Sequence, residues 1–247
     1  MKRLSIVLSL SLFGLGGVAT GQVPSSEIET SSFEPVTWER LVNAEEEPQN
    51  WLMYSGTFDS KRHSRLDQVH TRNVNRLELK WTHQLSALDR AETTPLVVDG
   101  VMFITEAPSN VLAVDAATGR PYWRYEHELP EDLRICCGRN NRGVAILGDT
   151  LYMSTLDAHL AAIDARTGNL LWASAAADYR SGYSKTAAPL IVKDKVVTGI
   201  AGGEFGIRGF LDAYNASTGT RDWRTYTIPG PDNPDNQSWS GDSWRTG

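Results

Sequence analysis

A short turn recurs three times along this chain, and each copy is followed at the same interval by a tryptophan. Asp115-Ala-Ala-Thr118-Gly119 precedes Trp123, Asp164-Ala-Arg-Thr167-Gly168 precedes Trp172, and Asn215-Ala-Ser-Thr218-Gly219 precedes Trp223. Trp172 follows Trp123 by 49 residues, and Trp223 follows Trp172 by 51. In such a turn the Asx side chain accepts hydrogen bonds from the backbone ahead of it, and glycine takes the positive φ that other residues avoid. Self-similarity at this period restricts the chain to architectures in which one supersecondary unit is stacked on its own copies.

A second regular feature lies upstream of each turn. Pro95-Leu-Val-Val-Asp99-Gly100-Val-Met-Phe-Ile-Thr105 reads as strand, two-residue turn, strand, and the pattern returns at 144–154 and at 189–198. β-Branched and apolar residues dominate these runs, as strands prefer. Each repeat therefore holds four strands: two around the first turn, one rising into the Asx-Thr-Gly turn, and one carrying the tryptophan. Four strands every ~50 residues is the signature of a β-propeller blade. The repeated indole is expected to pack between blades, where its large apolar area can be buried. Leu77 to Leu85, with Trp81, reads as the last strand of a preceding blade. The expected fold is all-β: about three blades plus a partial one over 51–247. Because propellers close with ~4–8 blades, this looks like the first part of a longer protein.

Ahead of the repeats, Met1-Lys2-Arg3, an apolar run from Leu4 to Val18 and the small residues Ala19-Thr20-Gly21 read as a secretory signal peptide over 1–21, cleaved before Gln22. The run is too short for a convincing membrane span, and no later segment reaches ~18 apolar residues. Residues 22–50 are polar, with one short amphipathic segment around Val36 to Val42, and read as an arm with a small helix. The acidic run Glu45-Glu46-Glu47 reads as a solvated helix end. A formal net charge of −6 argues against a nucleic-acid or anionic-membrane partner. The expected setting is an oxidising compartment outside the cytoplasm.

The only two cysteines, Cys136 and Cys137, are adjacent. A bond between neighbours closes a strained eight-membered ring and staples no loop, so it adds almost nothing through chain entropy. The pair points to a local use of that ring. Two free thiols or an intermolecular bridge are the other readings of the residues alone.

The chain resembles the pyrroloquinoline quinone (PQQ)-dependent alcohol dehydrogenases of the methanol/ethanol quinoprotein type. The stretches that carry the resemblance are Trp51-Leu-Met-Tyr-Ser-Gly-Thr with Ser64-Arg-Leu-Asp-Gln, Cys136-Cys137 with Asn141-Arg142-Gly143, Ala201-Gly-Gly-Glu-Phe-Gly-Ile-Arg-Gly-Phe, and Pro229-Gly-Pro with Gly241-Asp-Ser-Trp-Arg-Thr-Gly247. It implies an eight-bladed propeller with PQQ on its axis, held with calcium or a lanthanide. It implies a Cys136–Cys137 disulfide over one face of PQQ, with Glu92, Arg142 and Thr186 bonding the cofactor. It implies that Gly202 and Gly203 let backbone approach the ligand, and that Glu204 offers an oxygen to the cation. In the implied reaction a small alcohol is oxidised to an aldehyde, with the metal as Lewis acid and a carboxylate as base, and electrons pass to a cytochrome c. The resemblance places the general base, the floor tryptophan and an Asn metal ligand beyond Gly247, so no catalytic residue is assigned in this chain. Gly138-Arg139 departs from the acidic residue usual after the cysteine pair.

Taken with the signal peptide, the resemblance places the protein in the periplasm, as an amino-terminal portion inactive alone. The alternatives are a non-enzymatic periplasmic propeller scaffold, a PQQ sugar dehydrogenase, or half of a split quinoprotein whose missing blades come from a second chain. No phosphate-binding loop, nucleophile elbow or His-rich metal spacing appears.

Overall fold

The computed structural model describes residues 33–87 and 90–246. The expected signal peptide lies outside the described residues. So does Gly247, the position past which the general base is expected, and that expectation is untouched by the structure. Twelve strands form three four-stranded antiparallel sheets in simple up-and-down order. The first contains β1 (Leu96–Val98), β2 (Val101–Glu106), β3 (Asn110–Asp115) and β4 (Pro121–Glu126). The second contains β5 (Val144–Leu147), β6 (Thr150–Ser154), β7 (His159–Asp164) and β8 (Leu170–Ala175). The third contains β9 (Leu190–Val192), β10 (Lys195–Gly199), β11 (Phe210–Asn215) and β12 (Arg221–Tyr226). This is the partial propeller expected from the repeats, and among the described residues the ring is not closed.

The turns form for the reasons their residues supply. Asp99 and Gly100 both take positive φ, +47° and +90°, which matches a two-residue hairpin to the twist of β1 and β2. Asp115 Oδ1 accepts from the backbone N–H groups of Ala117 (3.0 Å) and Thr118 (2.8 Å) and from the Thr118 hydroxyl (2.9 Å). Asp164 and Asn215 make the same three bonds in the next two sheets.

Each sheet carries a register shift at the same place, between Ala113 and Val114, Ala162 and Ile163, and Ala213 and Tyr214. In the partner strand the extra residue directly precedes the repeated tryptophan. Such a bulge adds local twist and re-aims the side chain that follows. Trp123 Nε1–H donates to the Ala165 carbonyl of the next sheet (3.1 Å), and its ring lies where a Cβ on Gly168 would stand, 2.6 Å from it. Trp172 covers Gly219 in the same way, and Trp81 covers Gly119 while donating to Ala116 O (3.2 Å). Glycine is thus required twice over at these turns, by φ and by the indole seated on it. Trp223 is 44 % exposed.

Two segments differ from their sequence reading. Residues 77–85 form no strand, because among the described residues that blade offers no neighbouring strand to complete a ladder; Trp81 docks without one. Residues 33–50 are anchored to the core by a few apolar side chains. Phe33, Val36 and Leu41 are buried, and Val36 bridges Gly148. Helix α1 (Trp38–Val42) is capped by Thr37, whose hydroxyl accepts from Arg40 N–H. Arg40 reaches both Glu47 (2.6 Å) and Asp99 (3.2 Å), tying this segment to the first hairpin. Glu47 is therefore an ion-pair partner, and the Arg40 hydrogen bond lowers its pKa.

Candidate functional site

The first strands of the second and third sheets, β5 and β9, contact one another, so entry segments from successive sheets converge on one centre. A chain of backbone hydrogen bonds joins these segments. Thr94 N–H donates to the Arg142 carbonyl (3.1 Å), and Arg142 N–H donates to the Thr186 carbonyl (3.0 Å). The side chains follow the backbone. The Arg142 guanidinium meets the Glu92 carboxylate at 2.9 Å and donates to the Thr186 hydroxyl at 2.8 Å. Three residues from three separate blades are thereby brought together. Arg142 is 38 % and Glu92 31 % exposed, so the group is open to a ligand.

Asn141 and Gly143 explain why Arg142 is held so firmly. Asn141 is buried; its Nδ2 donates to Ser154 O (2.9 Å), its Oδ1 accepts from Gly143 N–H (3.1 Å), and its carbonyl accepts from the Thr105 hydroxyl (3.1 Å). Gly143 has φ +131°, and a Cβ there would stand 3.1 Å from Thr94 O. Any side chain would push apart the backbone bond that Thr94 makes to Arg142.

A second grouping lies at the vicinal cysteines. Cys136 and Cys137 are joined as a disulfide, with Cα atoms 3.8 Å apart. Cys137 has φ +67° and Gly138 +99°, a sharp local reversal that only glycine adopts without cost. The Glu204 carboxylate and the two sulfurs lie within 4.8 Å of one another. Cys137 and Glu204 are at the surface of this grouping. Gly202 caps the short 3-10 turn Gly203–Phe205 that carries Glu204. The reason for Gly202 differs from the expectation: the space where its Cβ would stand is filled by the Gly182 carbonyl oxygen, 2.0 Å away, and not left for a ligand. Gly203 does face open space.

Sequence reasoning marked Arg139 as a departure and passed over Arg90. Both line a cavity of ≈ 370 Å³ with Cys137, Gly138 and Asn140, and the two cations make this mouth electropositive. Lys185, next to Thr186 in the chain, was also passed over. It is 1 % exposed, its Nζ has no hydrogen-bond partner, and burial pushes its pKa down to about 7. The Tyr214 ring lies 5.4 Å from Nζ. An apolar residue is the default for a side chain facing the core there, and no sequence signal marks the exception.

The disulfide supports one direct prediction. It closes no loop, so reducing it with a phosphine should change unfolding stability by under ~1 kcal/mol. Chemical denaturation with and without reductant measures this; a loss of several kcal/mol would mean that the ring is structural.

Residues 51–247 match the family described as "PQQ: Glucose/ethanol/alcohol dehydrogenase, beta-propeller domain". The chain is 40% identical over 234 residues to the quinohemoprotein alcohol dehydrogenase ADH-IIG of Pseudomonas putida, covering 93% of this chain and 31% of that protein. The solved structure of ADHIIG from Pseudomonas putida HK5 superposes with a TM-score of 0.75 at 42% identity, over 79% of this chain and 29% of that one. A europium-containing methanol dehydrogenase superposes with a TM-score of 0.73 at 38% identity, over 78% of this chain and 34% of that one. The chain thus spans about a third of the length of these relatives. With the three bulged, tryptophan-linked sheets and a family match over most of its length, this chain belongs to the PQQ-dependent quinoprotein alcohol dehydrogenases.

Proposed function

We propose that this chain is the amino-terminal part of a periplasmic enzyme that oxidises alcohols to aldehydes with PQQ and passes the electrons to a cytochrome c. In this reading residues 1–21 are the export signal, 22–50 an N-terminal segment with a short helix, and 51–247 part of the propeller. The observation that carries it is the Arg142 guanidinium held between the side chains of Glu92 and Thr186, three residues contributed by three blades.

The donor set suits PQQ, a flat orthoquinone with three carboxylates. A guanidinium presents a planar fork of N–H donors to planar oxygen acceptors. Glu92 orients that fork. The Thr186 hydroxyl accepts from Arg142, which leaves its own hydrogen to donate to a carboxylate. The disulfide offers a ring to stack on one face. Glu204 beside the sulfurs offers a hard oxygen to calcium or a lanthanide, which bind through oxygen ligands. Gly203 leaves room near that cation, and Gly202 positions the turn. When bound, the quinone with its cation supplies the hydride-accepting chemistry; the residues of this chain bind and orient it. No general base is assigned among the described residues. A small alcohol is the substrate class, and the remaining blades come either from further residues of the same polypeptide or from a second chain.

A PQQ titration in the presence of Ca²⁺, followed by protein fluorescence quenching, tests this reading. Arg142→Met should weaken binding ~10- to 100-fold, the worth of a charge-assisted hydrogen bond. Binding that is indifferent to Arg142 and to Thr186→Val would overturn the assignment.

A further inference from the structure

Away from the disulfide and Arg142, two imidazoles and a carboxylate converge between the first and second sheets. His127 directly follows β4, Asp157 lies in the tight turn joining β6 to β7, and His159 is the first residue of β7. His127 Nε2 lies 3.0 Å and 3.1 Å from the two Asp157 carboxylate oxygens. His159 Nδ1 lies 3.1 Å from Asp157 Oδ2 and 3.0 Å from the Asp157 carbonyl. One ligand atom from each of the three falls within 4.8 Å of the others. We propose that His127, Asp157 and His159 form a binding site for a divalent transition metal of the zinc type, bridging two blades and separate from the cation expected at Glu204.

The spacing suits such an ion. Ligand bonds of ~2.0–2.1 Å in a tetrahedral shell put neighbouring ligand atoms about 3.3 Å apart. The observed 3.0–3.1 Å separations need only a small outward movement to admit a metal. Two imidazoles with one carboxylate select zinc, cobalt, nickel or copper over calcium and magnesium, which prefer an all-oxygen shell. Three protein ligands leave a fourth position, and the 30 % exposure of His159 opens that side to water.

The surroundings hold the ligands in place. Tyr125 Oη lies 3.2 Å from His127 Nδ1, so it can accept the proton that Nδ1 carries when Nε2 binds metal. His127 N–H donates to Asn110 Oδ1 (3.3 Å). Thr155 Oγ1 donates to Asp157 Oδ1 at 2.5 Å and accepts from His159 N–H at 3.1 Å. Ala158, between Asp157 and His159, is held at φ +63°. Asp157 is 5 % exposed, and among the described residues no second carboxylate joins the set. Lys185 is a buried cation whose charge bears on His159. Without metal, the carboxylate can serve both imidazoles as a hydrogen-bond acceptor, which is the outcome the test must separate.

The test is a Co²⁺ titration of the full chain at neutral pH without reductant, read by the visible ligand-field bands of the ion. One equivalent should bind, Zn²⁺ should displace it, and excess Ca²⁺ should not. His127→Gln and His159→Gln should each weaken Co²⁺ binding by more than ~10-fold, and Tyr125→Phe by ~10-fold through the orienting hydrogen bond. Zn²⁺ should also raise the melting temperature of the wild type, because it binds only the folded arrangement. Absence of the Co²⁺ bands in the wild type overturns the site. So does their persistence in both histidine variants with circular dichroism unchanged, or, should those variants not fold, in Tyr125→Phe at wild-type affinity.

Discussion

Trp123→Ala should cost ~3–5 kcal/mol of stability, while Trp223→Ala, the same residue of the repeat one hundred positions later, should cost well under ~1 kcal/mol. Trp123 is 2 % exposed, bonds Ala165 O across the sheet boundary and lies flat on Gly168. Its removal opens a cavity between two sheets and strands a buried carbonyl. Trp223 is 44 % exposed and leaves little behind. Gly168→Ala should reproduce much of the Trp123 loss from the other side, since its Cβ would meet the indole at 2.6 Å and its φ of +76° is strained for alanine. Urea unfolding of the three variants decides the matter. Equal losses at Trp123 and Trp223 would show that the indoles act within their own strands and not as links between blades.

The second large effect concerns Lys185. Its side chain is enclosed with no hydrogen-bond partner, beside a Tyr214, Asp212 and Arg224 cluster in which Asp212 accepts from both neighbours. Burial lowers the Lys185 pKa from 10.5 to about 7, and the Asp212 charge only partly opposes this. The unfolded chain therefore binds more protons than the folded one between these two values, and stability must rise with pH across that window. Below pH 7 the folded protein carries the whole cost of a buried charge, roughly 5 kcal/mol relative to pH 10.5. Lys185→Met fills a similar volume without the charge. It should be more stable than wild type by several kcal/mol near pH 6, with the difference shrinking steadily towards pH 10.5. Denaturant titrations of both proteins across this range isolate this group from the others that titrate. A difference that does not vary with pH would show that Lys185 is protonated alike in the folded and unfolded chain.

Much of the fold was legible from local chemistry. The Asx-x-x-Thr-Gly turns, the Asp99-Gly100 hairpin and the alternating strands are decided by residues a few positions apart, through side-chain hydrogen bonds and positive φ. The tryptophan spacing announced contacts between repeats, and Trp123 and Trp172 make them. The bulge before each tryptophan was not legible, because an extra residue shows only once the partner strand is aligned. Residues 33–50 looked polar enough to be an arm. Their few apolar members, Phe33, Val36 and Leu41, nevertheless find buried seats that composition cannot reveal.

The candidate site divides along the same line. Cys136–Cys137 and the Gly-Gly-Glu stretch stand out in the chain as unusual local patterns, whereas Arg142 was marked only by the family resemblance. That Arg142 lies between Glu92 and Thr186, and that Glu204 reaches the disulfide, depends on which segments three blades deliver to one centre. His127 meeting Asp157 and Lys185 standing without a partner depend on the same packing. By itself the sequence determined the repeating unit, its turns and the presence of a vicinal cysteine pair, since those follow from short-range sterics and hydrogen bonding. Only the tertiary structure decided which side chains meet. Contacts such as Arg142 to Thr186, 44 residues apart, exist because stacked sheets bury apolar faces against one another and carry the polar groups at their ends along with them.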